Sequence, residues 1–346
     1  MLREVEDYMK AIRVFAPHDV QMVELPMPNI VNPTDVRIKV KVGGVCGSDI
    51  HVWHGTNIYA VYPLNLGHET SGVVESVGAE VDDLKIGDRV VLEPFQCCGK
   101  CYACRCGRPN VCRSLQVYGA HIDGSFCEYL VSPRRNFHKV PDSLSFEQAA
   151  MIEPYTIAAQ CAWRGDVQAG DMVLIHGAGP LGLIVADTVS RMGATVIVSE
   201  VNEHRLQSAK IFGANHLINP AEQDFKNEIM KITDGMGPNV IFEATGVPAL
   251  LMESVPLASV AGRIVPLAFG QQPIPIAFSE INKKELSILG SRHQTFKFKP
   301  VIENFAQHLD KIDELITGVY AADDFMQAFE AFTGANTKHR KVVLKF

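Results

Sequence analysis

The segment Val173-Leu174-Ile175-His176-Gly177-Ala178-Gly179-Pro180-Leu181-Gly182 constrains the fold of this chain more than any other. A short apolar run, long enough for a buried strand, meets three glycines spaced G-x-G-x-x-G, and a helical stretch follows at 181–192. Gly177 allows a tight turn, Gly179 lets backbone approach a pyrophosphate, and Gly182 lets the helix pack on the strand. The helix that opens at Pro180 offers unpaired N–H groups from Leu181 onward, and a positive dipole end, to phosphates. Eighteen residues beyond Gly182, Glu200 closes the next strand, where a carboxylate can take the adenosine ribose hydroxyls. A carboxylate there repels a 2′-phosphate, so the expected cofactor is NAD. Arg205 could lie flat on adenine, and it keeps NADP as the alternative.

The surrounding rhythm agrees. Strand-like runs at 172–176, 195–200, 216–218, 240–243, 263–268 and 286–290 alternate with helical stretches at 181–192, 203–212, 224–233 and 249–260. Repeated βαβ units imply a doubly wound parallel sheet with helices on both faces. The first 150 residues read differently, as short strands at 11–15, 36–42, 71–77, 89–93 and 126–131 separated by Gly, Pro, Asn and Asp. The stretch from 291 is mixed, and 1–8 reads as an extension of little structural role. A length of 346 residues suits two domains. With 47% hydrophobic and 21% charged residues, a core is readily supplied.

Six of the nine cysteines fall between Cys97 and Cys112. An odd number in a long chain does not suggest a disulfide framework. Cys98-x-x-Cys101-x-x-Cys104 followed by Cys112 supplies four thiolates within one loop, enough to close a zinc tetrahedron with no open position. Such a site is structural. Cys97 and Cys106 are surplus, and either could swap in. Three further residues, Cys46, His68 and Glu153, offer sulfur, nitrogen and oxygen. Three protein ligands with a fourth position for water or substrate are the mark of a catalytic zinc. Their spacing alone does not unite them.

The formal net charge of −7 argues against a bulk electrostatic grip on nucleic acid or an anionic membrane. No apolar run reaches the length of a membrane span. Glu4, Glu6 and Asp7 give an N-terminus unlike a signal peptide. The expectation is a soluble cytoplasmic protein with no nucleic-acid or membrane partner.

Taken together, Cys46-Gly47-Ser48-Asp49-Ile50-His51, Gly67-His68-Glu69, the four-cysteine lobe, Gly87-Asp88-Arg89-Val90 and the glycine turn resemble the zinc-dependent medium-chain dehydrogenase/reductases. The resemblance runs from Met9 to Phe346. It implies an α/β protein with a discontinuous GroES-like β-barrel catalytic domain, 1–157 with 291–346, carrying the zinc lobe at 97–112. A Rossmann NAD-binding domain at 158–290 lies between, with the active site in the cleft. It also unites Cys46, His68 and Glu153 around a catalytic zinc, making two zinc ions per chain with Cys98, Cys101, Cys104 and Cys112.

Within the family, Glu153-Pro154 and the stretch from Glu285 to Arg292 resemble the polyol (sorbitol) and sugar-acid branch, where liver-type alcohol dehydrogenases carry a cysteine as third ligand. The implied reaction passes hydride between NAD and a secondary alcohol of a sorbitol-, galactitol-, L-idonate- or L-galactonate-like substrate. Ser48 is the expected first acceptor of the alcohol proton and His51 its route to solvent, with His54 a substitute. Glu69 is expected to tune the metal from beside it, or to bind directly when water is displaced. Arg292 is the candidate partner for a substrate carboxylate; its alternatives are the cofactor or Glu153. An L-threonine or simple-alcohol dehydrogenase is the rival activity, and a non-catalytic zinc-binding relative the rival class. A homo-oligomer, tetramer or dimer, is implied.

Overall fold

The computed structural model of the protein describes residues 7–270, 272–307, 309–334 and 338–346. The chain divides into two compact units, Met1–Glu153 with Phe298–Phe346, and Pro154–Lys297.

In the second unit six strands lie in the order His216–Ile218, Thr195–Ser199, Met172–His176, Val240–Glu243, Arg263–Pro266 and Ser287–Ile288. Every neighbouring pair is parallel. Numbered along the chain, the order is 3-2-1-4-5-6, the doubly wound arrangement. Leu174, Ile197, Ile241 and Ile264 form one buried layer of this sheet and pack with Phe225, Ile229 and Val255. Buried on both faces, these strands read as continuous apolar runs rather than as alternations. Asn202 and Asp224 open the helices Glu203–Ser208 and Phe225–Ile232 by accepting from backbone N–H groups in the first turn. The strand order reverses beside Met172–His176, so a crevice opens where that strand meets the glycine turn. The sixth strand is shorter than the expected 286–290, pairing at Ser287 and Ile288 only.

The first unit is a β-structure in which Asp35–Gly44 is the hub. A seven-stranded sheet runs Phe137–Lys139, Arg89–Leu92, Glu69–Val77, Asp35–Gly44, Lys341–Lys345 and Ile316–Ala321, with Tyr129–Pro133 also paired to the hub. A three-stranded sheet holds Asp19–Pro26, Tyr8–Ala16 and Leu64–Asn65. Lys341–Lys345 adds antiparallel to the hub, so two distant stretches of chain complete one sheet. The helix Phe325–Thr333 contributes Phe325, Ala328 and Phe329 to a core shared with Ile12, Leu64 and Phe126. The expected strand at 126–131 is divided between two partners. Phe126 and Glu128 bond to the backbone of Ile12 and Lys10, whereas Tyr129–Pro133 pairs with the hub. Among the described residues, no helix is long and apolar enough to cross a membrane.

Candidate metal and dinucleotide sites

The four-cysteine loop is closed by a short hairpin, Phe95–Gln96 against Gln116–Val117. The helix Tyr102–Arg105 begins at Cys101 and carries Cys104, and the turn Pro109–Val111 delivers Cys112. The sulfurs of Cys98, Cys101, Cys104 and Cys112 all lie within 4.8 Å of one another. Individual separations are 3.5 Å for Cys101–Cys104, 3.8 Å for Cys101–Cys112 and 3.5 Å for Cys98–Cys112. A zinc tetrahedron with Zn–S bonds near 2.3 Å has edges of about 3.8 Å, so the four fit that ion closely. All four are free thiols. The backbone N–H groups of Arg113 and Cys104 lower the Cys101 thiol to about 6. Burial, with the neighbouring Cys101 and Cys112, pushes Cys104 up to about 12. Four sulfurs this close cannot all carry charge unless a cation sits among them. Cys97 packs against the lobe's small apolar cluster and Cys106 is exposed; neither belongs to the four-sulfur group.

The second group is assembled from distant segments. Cys46 precedes the helix Gly47–Trp53, and its N–H donates to Asp49 Oδ2 at 2.9 Å. Asp49 is fully buried. Its Oδ1 accepts from Gly67 N at 3.1 Å and stands 3.5 Å from His68 Nδ1. One carboxylate therefore ties the Cys46 turn to His68. Gly67 has a φ of +94°, and a side chain there would collide with Phe126. His68 Nε2 faces Ser48 Oγ at 3.4 Å. Burial opposes charge on His68, but Asp49 and Cys46 outweigh it and hold the imidazole well above its ordinary value. Such a carboxylate behind a ligating histidine fixes its tautomer and raises its basicity.

Glu69 follows in the strand Glu69–Val77 and is buried. Lys341, also buried, donates to Glu69 Oε1 at 2.7 Å and lies 2.6 Å from Oε2. Burial opposes the charge on Lys341, yet Glu69, Cys46 and Glu153 raise its affinity for a proton. The ligand atoms of Cys46, His68 and Glu69 lie within 4.8 Å of one another. Glu153, in the first turn of the helix Ile152–Arg164, is buried beside this trio but is not one of its members. Burial raises its carboxyl to about 8, with His68, Glu69, Lys341 and Asp49 the charged groups acting on it.

Ser48 is half-buried and His51 exposed on the same helix. His51 Nδ1 lies 2.8 Å from Thr56 Oγ1, whereas the His54 ring packs at a tilt against His18 and Trp53. Asp49 and Lys341 are polar anchors that the sequence reading passed over. Asp49 has a signal, an acid three residues after a helix-capping position. Lys341 has only the oddity of a lysine leading the apolar run Val342-Val343-Leu344.

In the second unit, Gly177 turns the chain at a φ of +98°, with Thr245 too near to leave room for a side chain. At Gly182 a side chain would overlap the Gly177 carbonyl. Gly179, by contrast, opens onto free space, with nothing within 4 Å of where a Cβ would stand. It caps the helix Pro180–Arg191, so the opening lies at a helix N-terminus, as a pyrophosphate requires. Glu200 braces the turn: Oε2 accepts from Ala178 N at 3.0 Å and Oε1 from Asn202 N at 2.9 Å. Arg205 lies in the adjoining helix, and its N–H donates to Asn202 Oδ1 at 3.1 Å. A second buried brace escaped the sequence reading: Glu243 accepts from Thr245 N at 2.7 Å and Gly246 N at 3.0 Å. Arg292 also belongs to this unit, its guanidinium 5.9 Å from the centre of the Phe269 ring.

Comparison with known proteins gives this geometry a lineage. The alcohol dehydrogenase GroES-like domain family matches residues 32–142, and the zinc-binding dehydrogenase family matches 180–312. Starvation-sensing protein RspB of Escherichia coli K12 is 38% identical over 98% of this chain and 99% of its own length. The chain belongs to the zinc-binding medium-chain dehydrogenase/reductases. Sorbitol dehydrogenase of Bacillus subtilis is 35% identical to this dehydrogenase over 95% of each chain. L-threonine 3-dehydrogenase of Pyrococcus furiosus is 36% identical over 99% of this chain and all of its own. A crystal structure of an alcohol dehydrogenase (rspB) of E. coli CFT073 complexed with NADH superposes with a TM-score of 0.93. It is 37% identical and covers 98% of this chain and 99% of its own. The dehydrogenase is thus a zinc-binding, NAD(H)-associated oxidoreductase acting on an alcohol or polyol-like substrate. Its relatives spread across polyol and amino-acid substrates and mark no single branch.

Proposed function

We propose that this dehydrogenase oxidises a secondary alcohol of a polyol or sugar acid, sorbitol-, galactitol-, L-idonate- or L-galactonate-like, with NAD as hydride acceptor. The observation that carries the reading is the donor set around Cys46 and His68. Two buried carboxylates accompany it, Glu69 within the ligand group and Glu153 beside it, and among the described residues no second cysteine joins them. Cys46, His68 and Glu153 would hold a catalytic zinc and leave one position open. Glu153, whose buried carboxyl is raised to about 8, is a group that a dication would return to its charged form. Glu69, held by Lys341, would tune the ion from beside it or bind directly when water is displaced. Cys98, Cys101, Cys104 and Cys112 would hold a second, structural zinc.

When bound, zinc supplies Lewis acidity at the alcohol oxygen and NAD supplies the hydride acceptor. The chain's own residues do the rest. Asp49 holds His68 by Nδ1 and leaves Nε2 facing Ser48. Ser48 takes the alcohol proton, and the exposed His51 passes it to solvent. The Gly177, Gly179 and Gly182 turn, with Pro180 and Leu181 opening the helix, seats the pyrophosphate. Glu200 takes the ribose hydroxyls and Arg205 lies against adenine. Arg292 pairs with a sugar-acid carboxylate, which its planar fork matches bidentately. The working form is a homo-oligomer, tetramer or dimer.

The rival reading, L-threonine oxidation, is favoured by the Pyrococcus relative, 36% identical against 35% for the sorbitol dehydrogenase. One screen separates them: NAD⁺ reduction by zinc-loaded protein against alditols, aldonates, L-threonine and simple alcohols. An alditol or aldonate with kcat/KM roughly tenfold or more above threonine supports the proposal, tenfold being about 1.4 kcal/mol of transition-state preference. Threonine preferred overturns it. Arg292→Ala should then raise KM for an aldonate far more than for the matching alditol, whereas equal losses remove the carboxylate role.

A further inference from the structure

Beyond the sixth strand of the second unit, residues 289–297 form neither helix nor strand, yet Gln294 and Thr295 within them are buried. Arg292 stands in this run. The helix Ile152–Arg164 holds it at both ends. Arg164 Nε donates to the Gly290 carbonyl at 2.8 Å, and Cys161 Sγ lies 3.6 Å from Ser291 Oγ. At the far end Gln160 Oε1 accepts from Thr295 N at 3.0 Å. Between the two attachments His293 takes a φ of +45°, and Phe296 just past them takes +53°. Both are side-chain-bearing residues in the left-handed region, a strained conformation that persists only where the surroundings over-determine it.

Gln160 is fully buried. A backbone N–H can only donate, so the amide atom that faces Thr295 N must be the oxygen, and the orientation of the side chain is decided. Its Nε2 then lies on the other side, where it meets no acceptor among the described residues. A buried donor without a partner costs stability, and an apolar side chain of the same size would avoid that cost. Packing alone therefore does not account for a glutamine here; its oxygen on Thr295 does. We infer that Gln160 is a positioning residue, which anchors the strained run that carries Arg292 and so sets the preference for an acid over a neutral polyol. The specificity half of the inference rests on the carboxylate role proposed for Arg292; the anchoring half rests on the contacts alone.

The helix makes this anchoring more than local. Gln160, Cys161 and Arg164 follow Glu153 by seven, eight and eleven residues, spacings that share one helix face. At 1.5 Å per residue the attachments lie about 10–17 Å along the axis from Glu153. One rigid element thus carries a candidate zinc ligand in its first turn and, farther along, the footing of the candidate carboxylate partner. A helix rather than a free loop fixes where Arg292 stands.

Amide hydrogen exchange on the zinc-loaded full chain tests the anchoring. Gln160→Met, close in volume and lacking the amide, should speed exchange at Thr295 by about tenfold or more while leaving the strand Met172–His176 unchanged. An unchanged rate at Thr295 overturns the anchoring. The fold should tolerate the variant, since it exchanges one unpaired buried donor, Gln160 Nε2, for another, Thr295 N. Turnover tests the specificity. Gln160→Met should raise KM for an aldonate about tenfold, with kcat, the KM of the matching alditol and NADH affinity each changed by less than about twofold. In an Arg292→Ala background it should add nothing. Arg164→Met loosens the other end from a half-buried position and should shift the aldonate KM the same way; no shift in either variant overturns the role. Equal losses for both substrates, or a full further loss in the Arg292→Ala background, would make Gln160 merely structural and overturn it too. If Arg292→Ala itself fails to separate aldonate from alditol, the carboxylate reading falls and the specificity role with it, while exchange at Thr295 still decides the anchoring.

Discussion

The two metal-ligand groups of the first unit are built on opposite plans. The lobe takes four like donors from one loop, Cys98 to Cys112, and packs them on a small core of Phe95, Leu115 and Val117. The other group takes unlike donors, Cys46, His68 and Glu69, from three backbone settings. It then needs buried braces, Asp49 behind His68 and Lys341 against Glu69. In the first case the ligands supply much of the local structure, since so few apolar side chains are buried with them. In the second the surrounding sheet and helix hold the ligands. A core can spare the lobe's metal nothing, whereas the Cys46 group should keep its shape when its metal is lost.

That contrast can be broken at either end. Cys112→Ser should have the largest effect. Structural zinc contributes of order 10–16 kcal/mol to forming such loops, so losing one thiolate should cost at least about 5 kcal/mol of lobe stability. Urea unfolding and limited proteolysis at the lobe would register it, and an unchanged midpoint would erase the distinction between the two groups. Cys46→Ser should remove the other zinc, taking metal content from two to one, and lower kcat by about a thousandfold or more. Its thermal midpoint should shift little; a drop as large as that of Cys112→Ser would mean that both metals carry the fold. Lys341→Met should cost about 3 kcal/mol by leaving the Glu69 charge buried alone. The double variant with Glu69→Gln should recover most of that loss, and failure to recover would show that Lys341 acts by packing. Asp49→Asn should be the mildest, weakening zinc at Cys46 and His68 by about 10- to 100-fold without touching the lobe. Competition with a chelator measures both sites in one titration.

What could be read from the sequence follows the same division. The cysteine lobe was legible because its spacing is local. The dinucleotide turn was legible because Gly177, Gly179 and Gly182 sit between a buried strand and a helix, each with its own steric duty. Cys46, His68 and Glu153 needed a family resemblance, since no local pattern joins them. The trio of nearest ligand atoms in the structure includes Glu69, with Glu153 alongside. Asp49 was in view, but its burial and its reach to Gly67 are tertiary facts. Lys341 was hidden because its partner lies 272 residues away. The run at 126–131 looks like one strand, yet its two ends bond to different sheets, and no side-chain pattern records a change of partner.

The strand that carries Lys341 sets an order of maturation. On a ribosome, Glu69 is made long before its lysine, and the whole of Pro154–Lys297 is made in between. At 5–20 residues per second, Glu69 waits through roughly 14–54 s of synthesis for that partner. Late in this interval the dinucleotide unit has all its strands, while the hub strand Asp35–Gly44 still lacks its neighbour Lys341–Lys345. The nucleotide fold can therefore close first. Until Lys341 is made, the carboxylate beside Cys46 and His68 has no lysine to pair with.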